Sequence, residues 1–243
     1  MTENNLSSRR ETSPSPAILL LSEVDSTNRF LRDRAREALL PDGQAVLAAA
    51  QTGGRGRLGR SFCSPPGTGM YLSVFYRTRD AAEAMALTPL CACAVCAVLE
   101  EDGLTPRIKW VNDIWLDGKK VCGILCEKAE GGAVCGIGLN LAVPEGGFPE
   151  ELRGIAGALE NGAEALPTAV RVLEKLDFWR RSAAEALPYY RERMFLTGRT
   201  VTLPEGVPAR VLGVSERFGL RVLLPSGEER ELISGEVTLH GRI

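Results

Sequence analysis

The sequence predicts an α+β protein, with a mixed, mainly antiparallel sheet packed by helices and then a small β-barrel. Strand-like and helix-like segments alternate at first. A run of short strand candidates joined by glycine turns then suggests a meander. From Gly198 onward short apolar runs are separated by Pro204-Glu205-Gly206, Arg217-Phe218-Gly219 and Ser226-Gly227, the spacing of a small barrel. A boundary near Thr197 gives a first domain of residues 17–197 and a second of residues 198–243, after a polar tail of residues 1–16.

Ala17 to Val24 reads as a strand. Asp25-Ser26-Thr27 then supplies capping side chains for a helix from Asn28 to Leu39, in which Phe30, Leu31, Ala35 and Leu39 recur at helical spacing. Ala45 to Ala50 and Met70 to Tyr76 are strands on either side of a Gly/Arg-rich loop. Ala81 to Glu101 is helical, with a break predicted where Thr88 can cap a new helix opening on Pro89. Arg107 to Trp110, Asp113 to Leu116, Lys120 to Glu127 and Ala133 to Leu141 are the strand candidates of the meander, with Asp117-Gly118 and Gly131-Gly132 as its hairpin turns. Pro167 to Leu187 carries Val170, Leu173, Leu176, Phe178 and Trp179 as an amphipathic helix covering one sheet face, with a short helical piece after Pro188.

With 243 residues, 44% of them apolar and 25% charged, the chain can bury a large core. A formal charge of -2 argues against broad affinity for nucleic acid, so clustered arginines mark a local site rather than a basic face. The 7 cysteines fall mostly in apolar segments (Cys91, Cys93, Cys96, Cys122, Cys126 and Cys135), as small core residues do in a reducing cytoplasm. Cys91-x-Cys93-x-x-Cys96 lies within a helical pattern and the sole histidine is His240, so these thiols read as structural rather than metal-binding. The Ser-Pro-containing tail has no apolar signal core, and no later run is expected to reach membrane length.

Gly54-Arg55-Gly56-Arg57-Leu58-Gly59-Arg60 is the most informative segment. Glycines free the backbone to fold closely around a ligand, and arginines offer planar forks matched to phosphate or carboxylate. The same residues satisfy G-x-G-x-x-G, but a dinucleotide fold needs a helix to open there, and Ser61-Phe62-Cys63-Ser64 runs instead into Pro65-Pro66-Gly67. The motif occurs once, which excludes a repetitive Arg-Gly segment.

Lys109-Trp110-Val111-Asn112-Asp113 groups cation, amide and carboxylate where one strand ends. It suits a nucleotide and its Mg²⁺, with Asp113 the metal contact, and equally a plain Asn-Asp turn with Lys109 in solvent. Lys119 and Lys120 stand at the mouth of the next strand, and Gly123 thins it where a ligand could lie on backbone; a solvated hairpin lysine is the other reading. Gly136-Ile137-Gly138-Leu139-Asn140 repeats the device, two glycines thinning a strand that ends in an amide.

Together these segments resemble the biotin protein ligase family. Ser26-Thr27-Asn28, Gln51 to Arg60, Lys109 to Asp113, Lys120 to Leu125 and Gly136 to Asn140 follow the family's order and spacing, and Ser234-Gly235-Glu236-Val237 is similar to its C-terminal signature. The resemblance implies a class II synthetase-like catalytic fold with an SH3-like C-terminal barrel. It also implies ATP-dependent activation of biotin to biotinyl-5'-AMP and transfer to a lysine of a biotin carboxyl carrier protein. Lys120 and Arg57 would be catalytic. Ser26, Thr27, Asn28, Gln51, Gly54, Arg55, Arg57, Lys120 and Gly123 would bind biotin. Arg55, Arg57, Arg60, Lys109, Asn112, Asp113 and Asn140 would face ATP, with Mg²⁺ on Asp113. A homodimer is usual in the family.

Three departures stand out: Val111 where proline is usual, Phe62 where tryptophan is frequent, and a poor match from Arg153 to Leu159 on the adenine side. The tail is too short for the DNA-binding domain of family members that double as repressors, so no operator binding is expected. Lipoate or octanoate attachment on the same fold, and a biotin binder without ligase activity, are the competing readings.

Overall fold

The structure, a computed structural model, describes residues 17–239; the polar tail and His240 lie outside the described residues. Strand β1 (Ile18–Leu21) leads to helix α1 (Thr27–Glu37), whose N-cap is Ser26, its hydroxyl accepting from the Arg29 amide. Strand β2 (Ala45–Ala48) pairs parallel with β1 and antiparallel with β3 (Gly69–Arg77). Side chains alternate across this sheet, so Val46 and Phe75 face Leu31 and Ala35 of α1, while Ala45, Leu47, Leu72 and Val74 enter the larger core on the other side.

Helix α2 (Ala81–Glu101) fills that core and runs unbroken through Pro89, contrary to the predicted break. The amide that proline lacks would have bonded to Met85, which is 48% exposed, so water can serve the freed carbonyl. The turns beyond it, Leu87 to Leu99, are buried against the sheet and hold the two halves in line. By length and composition α2 could cross a membrane, which the sequence reading did not anticipate; here it is a core helix, with most of its apolar stretch buried.

Strands β4 (Arg107–Lys109), β5 (Asp113–Leu116), β6 (Lys119–Ala129) and β7 (Gly132–Asn140) form the predicted meander, which completes a seven-stranded sheet in the order β1-β2-β3-β7-β6-β5-β4. Asp117 (φ 46°) and Gly118 (φ 75°) make the first hairpin turn as expected. The second turn is Glu130-Gly131, one residue earlier than predicted, and Gly132 is the first residue of β7. A Cβ on Gly132 would stand 2.1 Å from the Tyr76 carbonyl oxygen, so close strand contact, not turning, demands this glycine.

The long helix predicted over Pro167 to Leu187 is two helices, α3 (Ala165–Arg181) and α4 (Ala183–Arg193), broken at Ser182 (φ -114°, ψ 42°). Helix α3 packs on α2 and β3, whereas α4 packs on α2 and the edge strand β4, four positions away in the sheet order, and a straight axis cannot reach both. Pro188 sits inside α4, where the carbonyl it deprives belongs to exposed Ala184.

Strands β8 (Thr200–Thr202), β9 (Pro208–Val214), β10 (Leu220–Leu223), β11 (Glu229–Leu232) and β12 (Thr238–Leu239) form a second, antiparallel sheet in the order β11-β10-β9-β8-β12. Val201, Val211 and Val222 join the main core, and the Trp110 indole donates to the Phe218 carbonyl at 2.8 Å, so the second sheet is fastened beside β4. All 7 cysteines are free thiols; five are buried, and Cys63 and Cys126 are half-buried. Burial pushes the Cys93, Cys96 and Cys122 thiols well above their ordinary range.

Candidate active site

One face of the seven-stranded sheet opens as a cavity of about 910 Å³ under the N-terminus of α1 and the Gly/Arg loop. Its walls hold every site residue expected from sequence except Gly54: Ser26, Thr27, Asn28, Gln51, Arg55, Arg57, Arg60, Lys109, Asn112, Asp113, Lys120, Gly123 and Asn140. Gly54 lies behind the wall. A Cβ there would stand 2.4 Å from the Phe62 carbonyl oxygen, so this glycine lets the two arms of the loop close on each other, and its own carbonyl accepts from the Phe62 amide.

The polar end is built by α1. Ser26, Thr27 and Asn28 are buried where the helix begins, and their polar atoms must find partners in the protein. The Thr27 amide and hydroxyl donate to Gln51 Oε1 at 2.9 and 3.1 Å, and Gln51 Nε2 donates to the Ser64 hydroxyl at 3.0 Å. Ser73 Oγ lies 2.7 Å from both Thr27 Oγ1 and Asn28 Oδ1, while Asn28 Nδ2 donates to the Leu125 carbonyl and to Glu127 Oε2. Arg32 in turn pairs with Glu127 at 2.5 Å. Sequence reasoning missed Ser73 and Glu127, although Ser73 is the one small polar side chain in an otherwise aromatic and aliphatic segment, Met70 to Tyr76, and that oddity was the available signal.

Glycines make the floor. A Cβ on Gly136 would meet Asn28 Oδ1 at 2.3 Å, and one on Gly138 would meet Phe62 Cε1 at 2.5 Å. Phe62 therefore lies flat on strand backbone at Gly138 and, 3.3 Å from a Cβ built on it, Gly123. An apolar ring at this position needs bare backbone beneath it.

The other end is cationic. The loop closes as a 3-10 turn over Arg57–Gly59, with Leu58 (φ 55°) and Gly59 (φ 76°) both left-handed. Arg57 donates to Asn112 Oδ1 at 3.0 Å and to the Gly235 carbonyl at 2.8 Å. Arg60 grips Glu236 through both of its Nη atoms. Burial alone would raise the Glu236 carboxyl, but the hydrogen bond and charge of Arg60, helped by Lys109 and Arg57, hold it below the usual carboxylate range. The loop is thus tied to the segment between β11 and β12.

Lys120 Nζ pairs with Asp113 Oδ1 at 2.7 Å inside the cavity, whereas Lys119 Nζ turns to the Arg153 and Gly154 carbonyls. Lys120 is fixed by its backbone, which donates to the Ile155 carbonyl and accepts from Gly157. Asn112 Nδ2 donates to Asp113 Oδ1 and the Ile124 carbonyl, and Asn140 Nδ2 to the Gly157 carbonyl. The Trp110–Val111 peptide is cis. Residues 148–156, which matched the family pattern poorly at their end, contribute Phe148, Leu152, Ile155 and Ala156 to the wall, with Trp115 also on it. Arg55, Arg57, Arg60, Lys109, Lys119 and Lys120 face only Asp113 and Glu236 as acids among the lining residues, so the site is positive in a chain of net charge -2.

The profile of the biotin/lipoate A/B protein ligase family matches residues 20–143, half of the chain and the part that holds the cavity floor, α1 and the loop. The chain belongs to this ligase family. Within it, the chain is 30% identical to the biotin–[acetyl-CoA-carboxylase] ligase of Mycobacterium tuberculosis over 241 residues, covering 92% of this chain and 81% of that one. It is 39% identical over 134 residues to the bifunctional ligase/repressor BirA of Escherichia coli, covering 52% of this chain and 41% of BirA. The chain thus spans about two fifths of the length of the BirA ligases it matches. The fold superimposes on the Aquifex aeolicus biotin protein ligase in complex with biotin and ATP with a TM-score of 0.77 at 29% identity, over 92% of this chain and 98% of that one.

Proposed function

We propose that the chain is an ATP-dependent biotin ligase, which forms biotinyl-5'-AMP and transfers the biotinyl group to a lysine of a carrier protein. The observation that carries this reading is the pairing, in one cavity, of a buried hydroxyl-and-amide end with a cationic end. The first suits a ureido ring and the second a carboxylate meeting a triphosphate. A lipoyl or octanoyl chain would leave the polar end without a matching group.

In this reading Thr27, Gln51 and Asn28 orient the ureido ring, with Ser26 beside them, and Phe62 and Gly138 bound its apolar side. Lys120 holds the biotin carboxylate, and Arg55, Arg57, Arg60 and Lys109 take the phosphates. A carboxylate oxygen attacks the α-phosphorus and pyrophosphate leaves; the acceptor amine then attacks the acyl carbon and AMP leaves. The cations offset the repulsion between carboxylate and α-phosphate and stabilise charge that builds in the transition state. Asp113 offers one carboxylate oxygen beside its Lys120 contact. That fits Mg²⁺, which takes few protein oxygens and otherwise phosphate and water; when bound it would supply charge for the departing pyrophosphate. We assign residues 17–197 to catalysis and residues 198–243 to a second domain whose Gly235 and Glu236 hold the loop. The free thiols suit the cytoplasm, and exposed Leu19 and Leu20 on the edge strand β1 suit a homodimer.

The test is to incubate the purified protein with biotin, ATP and Mg²⁺ without acceptor and to look for biotinyl-adenylate by mass spectrometry, with lipoate and octanoate in parallel. Adenylate from biotin alone is the expected result; adenylate from the fatty acids instead would replace this reading with lipoyl ligation. Two variants sharpen it. Gln51→Ala removes the acceptor of both Thr27 donors, and the KM for biotin should rise about tenfold, the effect of ~1.4 kcal/mol, with kcat for adenylation little changed. Glu236→Gln weakens the Arg60 tie and should raise the KM for ATP severalfold while leaving that for biotin alone. Because the folded Glu236 carboxyl sits below its usual range, the tie is intact above that range and is lost as pH falls through the lowered value. The wild-type ATP KM should therefore rise on acidification, and a rise of the same size in the Glu236→Gln variant would refute this cause.

A further inference from the structure

On the face of β6 and β7 turned away from the cavity, three thiols from three elements converge. Cys91 of α2, Cys126 of β6 and Cys135 of β7 bring their Sγ atoms within 4.8 Å of one another. Cys126 and Cys135 are direct cross-strand partners, and Cys91 reaches them from the helix packed above. This is not the C-x-C-x-x-C spacing visible in the sequence. Cys93 turns instead to the Ala186 carbonyl of α4, 3.6 Å away, so the helix sends the neighbouring thiols to different sides. Cys91 and Cys135 are buried, and Cys126 is half-buried as a residue with its thiol packed against theirs.

From this geometry we propose that the trio is a binding site for a three-coordinate thiophilic ion of the trivalent metalloid class, represented by arsenite. Bond length, coordination number and charge select that class. Thiolate bonds of about 2.3 Å, the zinc–sulfur length, place three sulfurs about 3.3 Å apart around a pyramidal centre, so side-chain rotation need close the trio by at most about 1.5 Å. Among the described residues no other His, Cys, Asp or Glu joins the group, whereas zinc takes four ligands in structural sites. Three thiolates carry three negative charges. A monovalent soft ion would leave two of them, and a divalent ion one, in a buried place, at a cost that a trivalent centre removes. The reaction balances without a redox step: arsenous acid and three thiols give the tris-thiolate and three waters, each thiol proton leaving with a hydroxyl of the acid.

The ion would also lie behind the cavity floor. Leu125 and Gly136, next in sequence to Cys126 and Cys135, are the residues whose carbonyl and bare Cα receive Asn28 on the opposite face. Drawing the two cysteines together should therefore disturb Asn28 and weaken the ligand contacts made there. This consequence rests on the proposed function; the binding itself does not.

Native mass spectrometry of the reduced protein with arsenite, in the absence of any other ligand, tests the site. The expected result is one adduct whose mass is the protein plus one arsenic less three hydrogens, lost in Cys126→Ser and in Cys135→Ser and kept in Cys63→Ser. Each lossy variant should show at most the two-thiolate form that retains a hydroxyl on arsenic. Circular dichroism and the melting temperature of each variant establish that it is folded. A wild-type adduct that retains hydroxyl, an adduct indifferent to Cys126→Ser in a folded variant, or displacement of arsenite by equimolar Zn²⁺ would overturn the proposal. If the adduct forms as described but biotin binding is absent altogether, the site stands and the ligase reading fails.

Discussion

Replacing Lys120 by alanine is expected to lower the rate of biotinyl-adenylate formation by about 10²–10³-fold, the loss seen when a preorganised group facing developing charge is removed. Lys120 is the inward member of its lysine pair: its backbone is clamped by Ile155 and Gly157, and its ammonium lies 2.7 Å from Asp113 at the junction of the polar and cationic ends. In the proposed reaction the carboxylate must approach an anionic phosphate, and of the three lysines that line the cavity Lys120 is the one paired with Asp113, while Lys119 turns to the Arg153 and Gly154 carbonyls. The effect should fall on kcat as much as on KM, because the charge that the lysine neutralises grows as the new bond forms. Lys120→Arg should recover little, since the longer planar fork does not reproduce a point charge above Gly123. Stopped-time mass spectrometry of the adenylate gives the rate. An unchanged rate in a variant that melts normally would remove Lys120 from the chemistry and favour a protein that binds biotin without activating it. Asp113, deprived of its partner, should cost the fold only about 1–2 kcal/mol, because it keeps the Asn112 amide as a donor.

The second large effect is expected from Gly136→Ala. The added methyl would stand 2.3 Å from Asn28 Oδ1, and Asn28 cannot yield, since its amide is held by Leu125 and Glu127 and its oxygen by Ser73. Forcing the strand and α1 apart should destabilise the protein by about 1–3 kcal/mol, or roughly 2–10 °C in Tm for a chain of this size. It should also break the buried network that presents Thr27 and Gln51. The KM for biotin should rise more than tenfold in the variant, measured at a temperature where it remains folded, while ATP binding is spared. Gly59→Ala is the comparison: its φ of 76° strains any side chain, but nothing lies within 4 Å of the new methyl, so it should perturb the Gly/Arg loop without touching biotin affinity. Equal effects from the two substitutions would mean that backbone conformation, not the close approach of Asn28, explains the glycine at 136.

Much of the site was legible because its chemistry is local in sequence. The capping triad at Ser26, the Gly/Arg loop and the Lys120 strand each carry their signal within ten residues, and periodicity and turn residues place them on a helix start, a loop and a sheet. Signals that depend on partners distant in sequence were not legible. Pro89 and Pro188 look like helix stops, yet the residue whose carbonyl each deprives is exposed, and buried residues hold the helix on, Leu90 to Leu99 after Pro89 and Ala186, Leu187 and Tyr190 about Pro188, so packing outweighs a local rule. The break at Ser182 has no strong breaker. It arises because α3 and α4 serve strands far apart in one sheet, β3 and the edge strand β4. Glu127 was unreadable as a site residue because it touches Asn28 across 99 positions. The thiol trio escaped notice for the same reason: its members look like scattered core cysteines until β6, β7 and α2 are brought together.

The tie between Arg57 and the second sheet has a thermodynamic consequence. Its guanidinium already donates to the Gly235 carbonyl and to Asn112, so a phosphate arriving there exchanges one acceptor for another rather than filling open valence. The affinity that Arg57 contributes is then a difference between two hydrogen-bonded states, and the displaced Gly235 carbonyl must be rehydrated. A substitution that shifts the Gly235 carbonyl away from Arg57 should therefore tighten nucleotide binding, the opposite sign from Glu236→Gln, whose carboxylate holds Arg60 in place rather than competing for Arg57. Nucleotide binding should also depend less steeply on salt than the number of cations suggests, because Arg60 and Lys120 already face the counter-charges of Glu236 and Asp113.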